Sequence, residues 1–251
     1  MKMGAICAGA MLAMTGGFGG SLGPASAAEI KVMASAAIHD AYVELIPAFE
    51  RASENKVVTE WVPTAEMMRR LKGGETVDLV LMASNGIAEL AKLGKVGLGT
   101  PVAKSGIGVS VRAGAPKPDI SSADAFKRTL LAAKSIAMST GPSGVYLAKL
   151  FERLGVADEI KGKVKQVQGV AIGEVVARGD AEIGFQQVSE LLPVKGTTYV
   201  GPLPADIQEI TVFDAAVHTG AASADGARAL IKFLTTPQAG EAYKKIGMEP
   251  G

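Results

Sequence analysis

The sequence predicts an α/β chain built as two lobes, each a mostly parallel sheet flanked by helices, joined by two crossing segments. Three observations carry this. From Glu29 onward short β-rich runs alternate with helical patterns, the order expected of strand–helix–strand units. Most of those runs are largely apolar, as strands covered on both faces should be. Two stretches, a Gly- and Val-rich one at residues 99–111 and another at 210–217, read as passages of the chain from one lobe to the other and back.

The N-terminus stands apart from this pattern. Lys2 precedes an apolar, glycine-rich run over residues 3–22 and the small residues Pro24-Ala25-Ser26-Ala27-Ala28, the order of a cleavable export signal. The small-x-small rule places the mature start at Glu29, with cleavage after Ala27 as the competing site. A membrane anchor fits less well, because the run is diluted over residues 15–21 and interrupted by Pro24, whereas a spanning helix needs about 20 unbroken apolar residues. The expected product is periplasmic and monomeric. Cys7, the only cysteine, falls inside the signal, so the remaining 223 residues hold their fold without disulfides. That length suits one large core or two lobes of about 100 residues each.

Without the signal, 25 basic residues balance 25 acidic ones and no basic block stands out. Bulk attraction to nucleic acid or to an anionic membrane is therefore excluded, and recognition has to be local.

Taken in order, the strands are expected at residues 30–35, 56–62, 77–82, 106–111, 135–139, 181–185 and 210–217. Helices are expected at 38–52, 65–72, 86–93, 123–133, 144–154, 172–178 and 224–234. Ser122 caps the fourth helix, Gly155 ends the fifth, and Thr236-Pro237 opens a last one with a hydroxyl cap and proline at its first position. Pro47 inside the first helical pattern predicts a kink or a break. The first lobe is assembled from residues 29–105 and 213–251, the second from 106–212.

Function is most legible at the carboxyl ends of the strands, where open parallel sheets place their ligands. These turns are small and polar: Ser35-Ala36-Ala37, Pro63-Thr64, Ala83-Ser84-Asn85 and Ser139-Thr140-Gly141-Pro142-Ser143-Gly144. Each opens a helix. Unpaired N–H groups and a partial positive charge at a helix start can hold a dehydrated anion with neutral donors alone. Thr64 and Ser143 are the strongest candidates, with plain N-capping of their own helices as the alternative for each.

Enzyme signatures are missing. Two histidines, His39 and His218, without metal-ligand spacing argue against zinc. There is no Gly-x-Ser-x-Gly elbow and no phosphate loop, and Gly106-Ile107-Gly108 lacks the third glycine of a dinucleotide fingerprint. No catalyst, metal site or cofactor is expected; a metal would enter only as part of an oxyanion. Trp61 either packs in the core or flanks a ligand. Arg69 and Arg70, one turn into a helix, either lie on a solvated face or reach a carboxylate bidentately.

Together the segments 30–37, 77–84, Ser143-Gly144-Val145-Tyr146 with Leu154-Gly155, and Thr236-Pro237-Gln238-Ala239 resemble the periplasmic molybdate-binding proteins of ABC importers, across nearly the whole chain after the signal. The resemblance implies the two-lobed periplasmic-binding-protein type II fold. It also implies closure of the lobes on a small oxyanion such as molybdate or tungstate, which is delivered to an ABC permease in the membrane. The family's oxyanion-holding positions fall on the Ser35–Ala37 turn, Thr64, Ser143, Gly169 and Gln187. Where the family has a serine, Ala37 offers only its N–H, and Gln187 stands where the family has a tyrosine. A small organic acid paired with Arg69 or Arg70, or a periplasmic sensor using the same fold, are the alternative readings.

Overall fold

The computed structural model describes residues 29–251, and the expected export signal lies outside the described residues. β1 (Glu29–Ala34), β2 (Lys56–Trp61) and β3 (Leu79–Ala83) are linked through α1 (His39–Ser53) and α2 (Thr64–Lys72), and β1 pairs in parallel with both of the others. After α3 (Ser84–Lys92) and β4 (Thr100–Ser105), the single residue Gly106 separates the first sheet from β5 (Ile107–Arg112) in the second.

The second sheet is completed by α4 (Ala123–Ala132), β6 (Ile136–Ser139), α5 (Pro142–Arg153), α6 (Ala157–Ile160), β7 (Val164–Val167), α7 (Ile172–Ala177), β8 (Ile183–Gln187), α8 (Val188–Leu191) and β9 (Thr197–Pro202). The chain then returns through β10 (Thr211–Val217), α9 (Ala224–Leu234), α10 (Pro237–Lys245) and β11 (Glu249–Pro250).

Strand order is β11-β4-β10-β3-β1-β2 in one sheet and β7-β6-β8-β5-β9 in the other. Both are mixed. The parallel part of each is a three-stranded core, while β10 runs antiparallel to β3 and β4, and β5 antiparallel to β8 and β9. The reason is directional: a strand carrying the chain out of a sheet and one bringing it back run in opposite senses.

Period-two alternation builds cores on both faces of the first sheet. Leu79 and Leu81 of β3 join Tyr42, Leu45 and Phe49 of α1 and Leu230 and Leu234 of α9, whereas Val80 and Met82 meet Met67, Leu71, Ile87 and Leu90 from α2 and α3. All five β3 residues are buried, and each large aliphatic chain so buried contributes about 1.5–3 kcal/mol. In the second sheet Ile136 and Met138 of β6 face α4 and α5, while Ala137 faces Ile172, Val175 and Val176 of α7.

Local signals hold at the caps. The Ser122 hydroxyl accepts from the Ala125 N–H at 3.2 Å, the Thr236 hydroxyl from Ala239 at 3.3 Å, and Gly155 adopts a φ of 67°. Pro47 does not break α1, which runs through it. Both Pro47 and Val43, whose carbonyl loses its helical donor, lie on the exposed face, where water can replace the missing bond.

Candidate functional site

A cleft of about 690 Å³ is lined by turns from both sheets. The first sheet contributes Ser35, Ala37, His39, Trp61 and Thr64 at the starts of α1 and α2; the second contributes Ser139 to Pro142, Gly169 to Ala171, Gln187, Glu190 and Lys195. Four helix starts therefore face one space, presenting the donor-rich ends of their backbones to it.

The positions read from sequence fare differently. Thr64 is the first residue of α2, Pro63 occupies the cap position without a side-chain cap, and Thr64 lines the cleft. Ser35 also lines it, accepting at 3.4 Å from the N–H of Ala37, which supplies no hydroxyl. Gly169 reaches the cleft with a φ of 73°, a conformation that favours glycine.

Ser143 is turned away. It is 1% exposed, does not line the cleft, and places its Oγ 3.2 Å from that of Ser139, which also accepts from the Gly141 N–H at 3.2 Å; Ser139 and Thr140 are the hydroxyl-bearing residues of this turn that line the cleft. Gln187 lines the cleft but spends its amide on the crossings. With its nitrogen toward the Ser105 and Gly106 carbonyls it donates at 3.1 and 3.2 Å and accepts from the Thr211 hydroxyl at 2.8 Å.

Arg69 and Arg70 do not line the cleft. Arg69 is held by Glu66, and Arg70 forks onto Glu60 at 2.6 and 2.7 Å and also binds Glu75. With both guanidiniums paired to glutamates and neither residue on the cleft, the structure gives no support to Arg69 or Arg70 as carboxylate partners. Trp61 packs on the first core, meets the His39 ring at 4.6 Å and the Tyr42 ring at 5.4 Å, and also lines the cleft.

Charges in the cleft are few and mostly paired. His39 Nδ1 lies 2.7 Å from Asp40 Oδ1, and Glu174 lies 3.7 Å from Arg178. Lys195 is a cation on the cleft with no ionic partner among the described residues.

Glu190, which sequence reading missed, is held by Gln186: the Gln186 Nε2 donates to Glu190 Oε1 at 2.7 Å, while Gln186 Oε1 accepts from the Ile172 N–H at 2.7 Å. Burial raises the Glu190 carboxyl to about 7, and the bond from Gln186 offsets part of that rise. In the unfolded chain a glutamate titrates near about 4.3. Between those values the unfolded chain is ionised while the folded one keeps its proton, so stability is full below the lower value and falls as pH rises through the higher. Thermal melts of Glu190→Gln and the parent are expected to coincide near about pH 4 and to separate by about pH 8, with the variant the more stable. Coincident melts at both ends would show an ordinarily ionised Glu190.

Residues 30–249 match the family model described as bacterial extracellular solute-binding protein. An aconitate isomerase from Pseudomonas sp is 36% identical over 229 residues, 88% of this chain and 87% of that protein. A molybdate-binding protein from Azotobacter vinelandii is 28% identical over 232 residues, 89% of this chain and 90% of that one. The solved structure of the Azotobacter vinelandii periplasmic molybdate-binding protein matches with a TM-score of 0.73 at 18% identity, covering 88% of this chain and 99% of that chain. At that identity the likeness is one of fold.

Proposed function

Because the chain belongs to the bacterial extracellular solute-binding protein family, whose model it matches over residues 30–249, we propose that its cleft captures a small organic polyacid of the aconitate class outside the cytoplasmic membrane. Delivery to an ABC permease completes this reading. The observation that carries it is the loss of side-chain donors where a compact oxyanion would need them: Ala37 has no hydroxyl, the Ser143 hydroxyl faces Ser139, and the Gln187 amide is bound at the crossings. Each hydrogen bond to a charged group is worth about 1.5–3 kcal/mol, so a tetrahedral dianion would forfeit several.

A polycarboxylate suits what remains. Its charges are spread over several carbons, matching helix starts that ring a cleft of about 690 Å³. Its carbon skeleton finds Trp61, Val62, Val170 and Phe213 in the walls, and Lys195 offers a cation. The identity of 36% with an aconitate isomerase favours the same ligand class. A molybdate-like oxyanion is the second reading, supported by the relative at 28% identity.

Calorimetry with cis-aconitate, trans-aconitate, molybdate, tungstate and sulfate separates the two. Heat with the tricarboxylates and none with the oxyanions is the expected result; the reverse would replace the first reading with the second. Lys195→Met is expected to weaken tricarboxylate binding about tenfold, more at low ionic strength. Unchanged affinity at all salt concentrations would remove Lys195 from the site.

A further inference from the structure

Resting on the organic-acid reading, we propose that the cleft also catalyses: Glu190, positioned by Gln186, takes a proton from a carbon beside a carboxylate of a bound unsaturated polycarboxylate and returns it two carbons away, moving the double bond. Three observations meet in this carboxyl.

It is a cleft residue on α8, and α8 packs against the Ala36–Ile38 turn of the other sheet, so it stands where the two walls converge on a ligand. Its orientation is set by a chain of two hydrogen bonds. The Ile172 N–H at the start of α7 fixes the Gln186 oxygen, which turns the Gln186 nitrogen onto Glu190 Oε1; Oε2 takes no hydrogen bond from the described residues. And burial makes it a stronger base than an ordinary carboxylate, with its titration near about 7, close to the value at which proton transfer is most efficient.

The step balances within the ligand and one side chain. A C–H that is both beside a carboxylate and next to a C=C bond breaks; its electron pair spreads over three carbons and the adjacent carboxylate, and Glu190 gains an O–H. That proton then bonds the far carbon of the three, the double bond settles between the other two, and Glu190 is ionised again. No electrons are gained or lost. The charge that builds on the ligand carboxylate is met by the helix starts, whose backbone donors the fold holds in place before the reaction, with Lys195 as a nearby cation on the cleft. The other titratable groups on the cleft are His39, Asp40, Glu174 and Lys195.

The experiment incubates the protein with cis-aconitate, and separately with trans-aconitate, in deuterium oxide, and follows methylene and vinyl protons by NMR alongside calorimetry. The expected result is deuterium uptake and interconversion of the isomers. Glu190→Gln should bind both at least as tightly, because a negative charge is gone, yet exchange about 100-fold or more slowly. A thermal melt at or above that of the parent at about pH 8 checks that this variant folds. Gln186→Leu, which removes a bond that lowers the Glu190 pKa, should move the midpoint of the pH–rate profile upward with the ligand still bound. Binding without exchange in the parent protein overturns the catalytic inference and leaves the binding reading standing. Undiminished exchange in Glu190→Gln overturns the assignment to Glu190. No heat with either isomer overturns the binding reading and this inference with it.

Discussion

A Gly144→Ala variant is expected to melt roughly 6–12 °C below the parent, the shift that follows from about 3 kcal/mol in a chain of this size. A methyl group at this position would sit 1.6 Å from the Ser139 carbonyl oxygen and 2.7 Å from its carbonyl carbon. Neither is the end of a flexible side chain, so the first turn of α5 has to leave β6 to make room. That movement displaces Ser139, Thr140 and Gly141 from the cleft wall, so ligand affinity should fall together with stability. Gly162→Ala is the control, since a methyl group there meets nothing within 4 Å. If the two variants melted alike, the close approach of α5 to β6 would be wrong.

Phe185→Ala should be comparably severe through a different cause. The ring is fully buried, with Phe126 at 5.6 Å and Phe151 at 6.5 Å in edge-on arrangements. Truncation leaves a void among rings anchored on α4 and α5, and Phe→Ala at such sites costs about 3–5 kcal/mol. In urea the midpoint should move to lower concentration with an unchanged slope, the sign of lost stability without a change in exposed surface. A loss below about 1 kcal/mol would mean that the neighbouring helices close over the gap. The position also separates core from site, because Phe185 does not line the cleft.

Much of the fold was legible because it rests on local rules. Apolar runs at β1, β3 and β8 announced strands covered on both faces, and Ser122 and Thr236 announced their helices through caps formed within three residues. β7 and β9 escaped because their residues are half-buried or exposed and carry polar side chains, which erases the apolar signal. The four residues of α8 are too few to display a helical period.

Part of the candidate site was legible by the same logic. Strand-end turns led to Thr64, Gly169 and the Ser35–Ala37 turn, all of which line the cleft. What a polar group does there depends on neighbours distant in sequence. Gln187 finds Thr211 and the carbonyls of Ser105 and Gly106, and the burial that changes Glu190 is supplied by the folded walls. Arg69 and Arg70 carried a nearer clue: Glu66, three residues before Arg69, marks a helix-surface pair.

The position of β10 in the first sheet also sets an order of assembly. It lies between β3 and β4, so the middle of that sheet is the part of the chain made late. During synthesis the second sheet has all its strands once residue 202 is available, while the apolar β3 waits with one edge unpaired until residues 211–217 follow. The first sheet is thus the vulnerable one in the newborn chain. Pairings this distant in sequence form slowly and leave sticky edges exposed meanwhile, so a chain cut short before residue 211 would expose a buried strand to every neighbour it met.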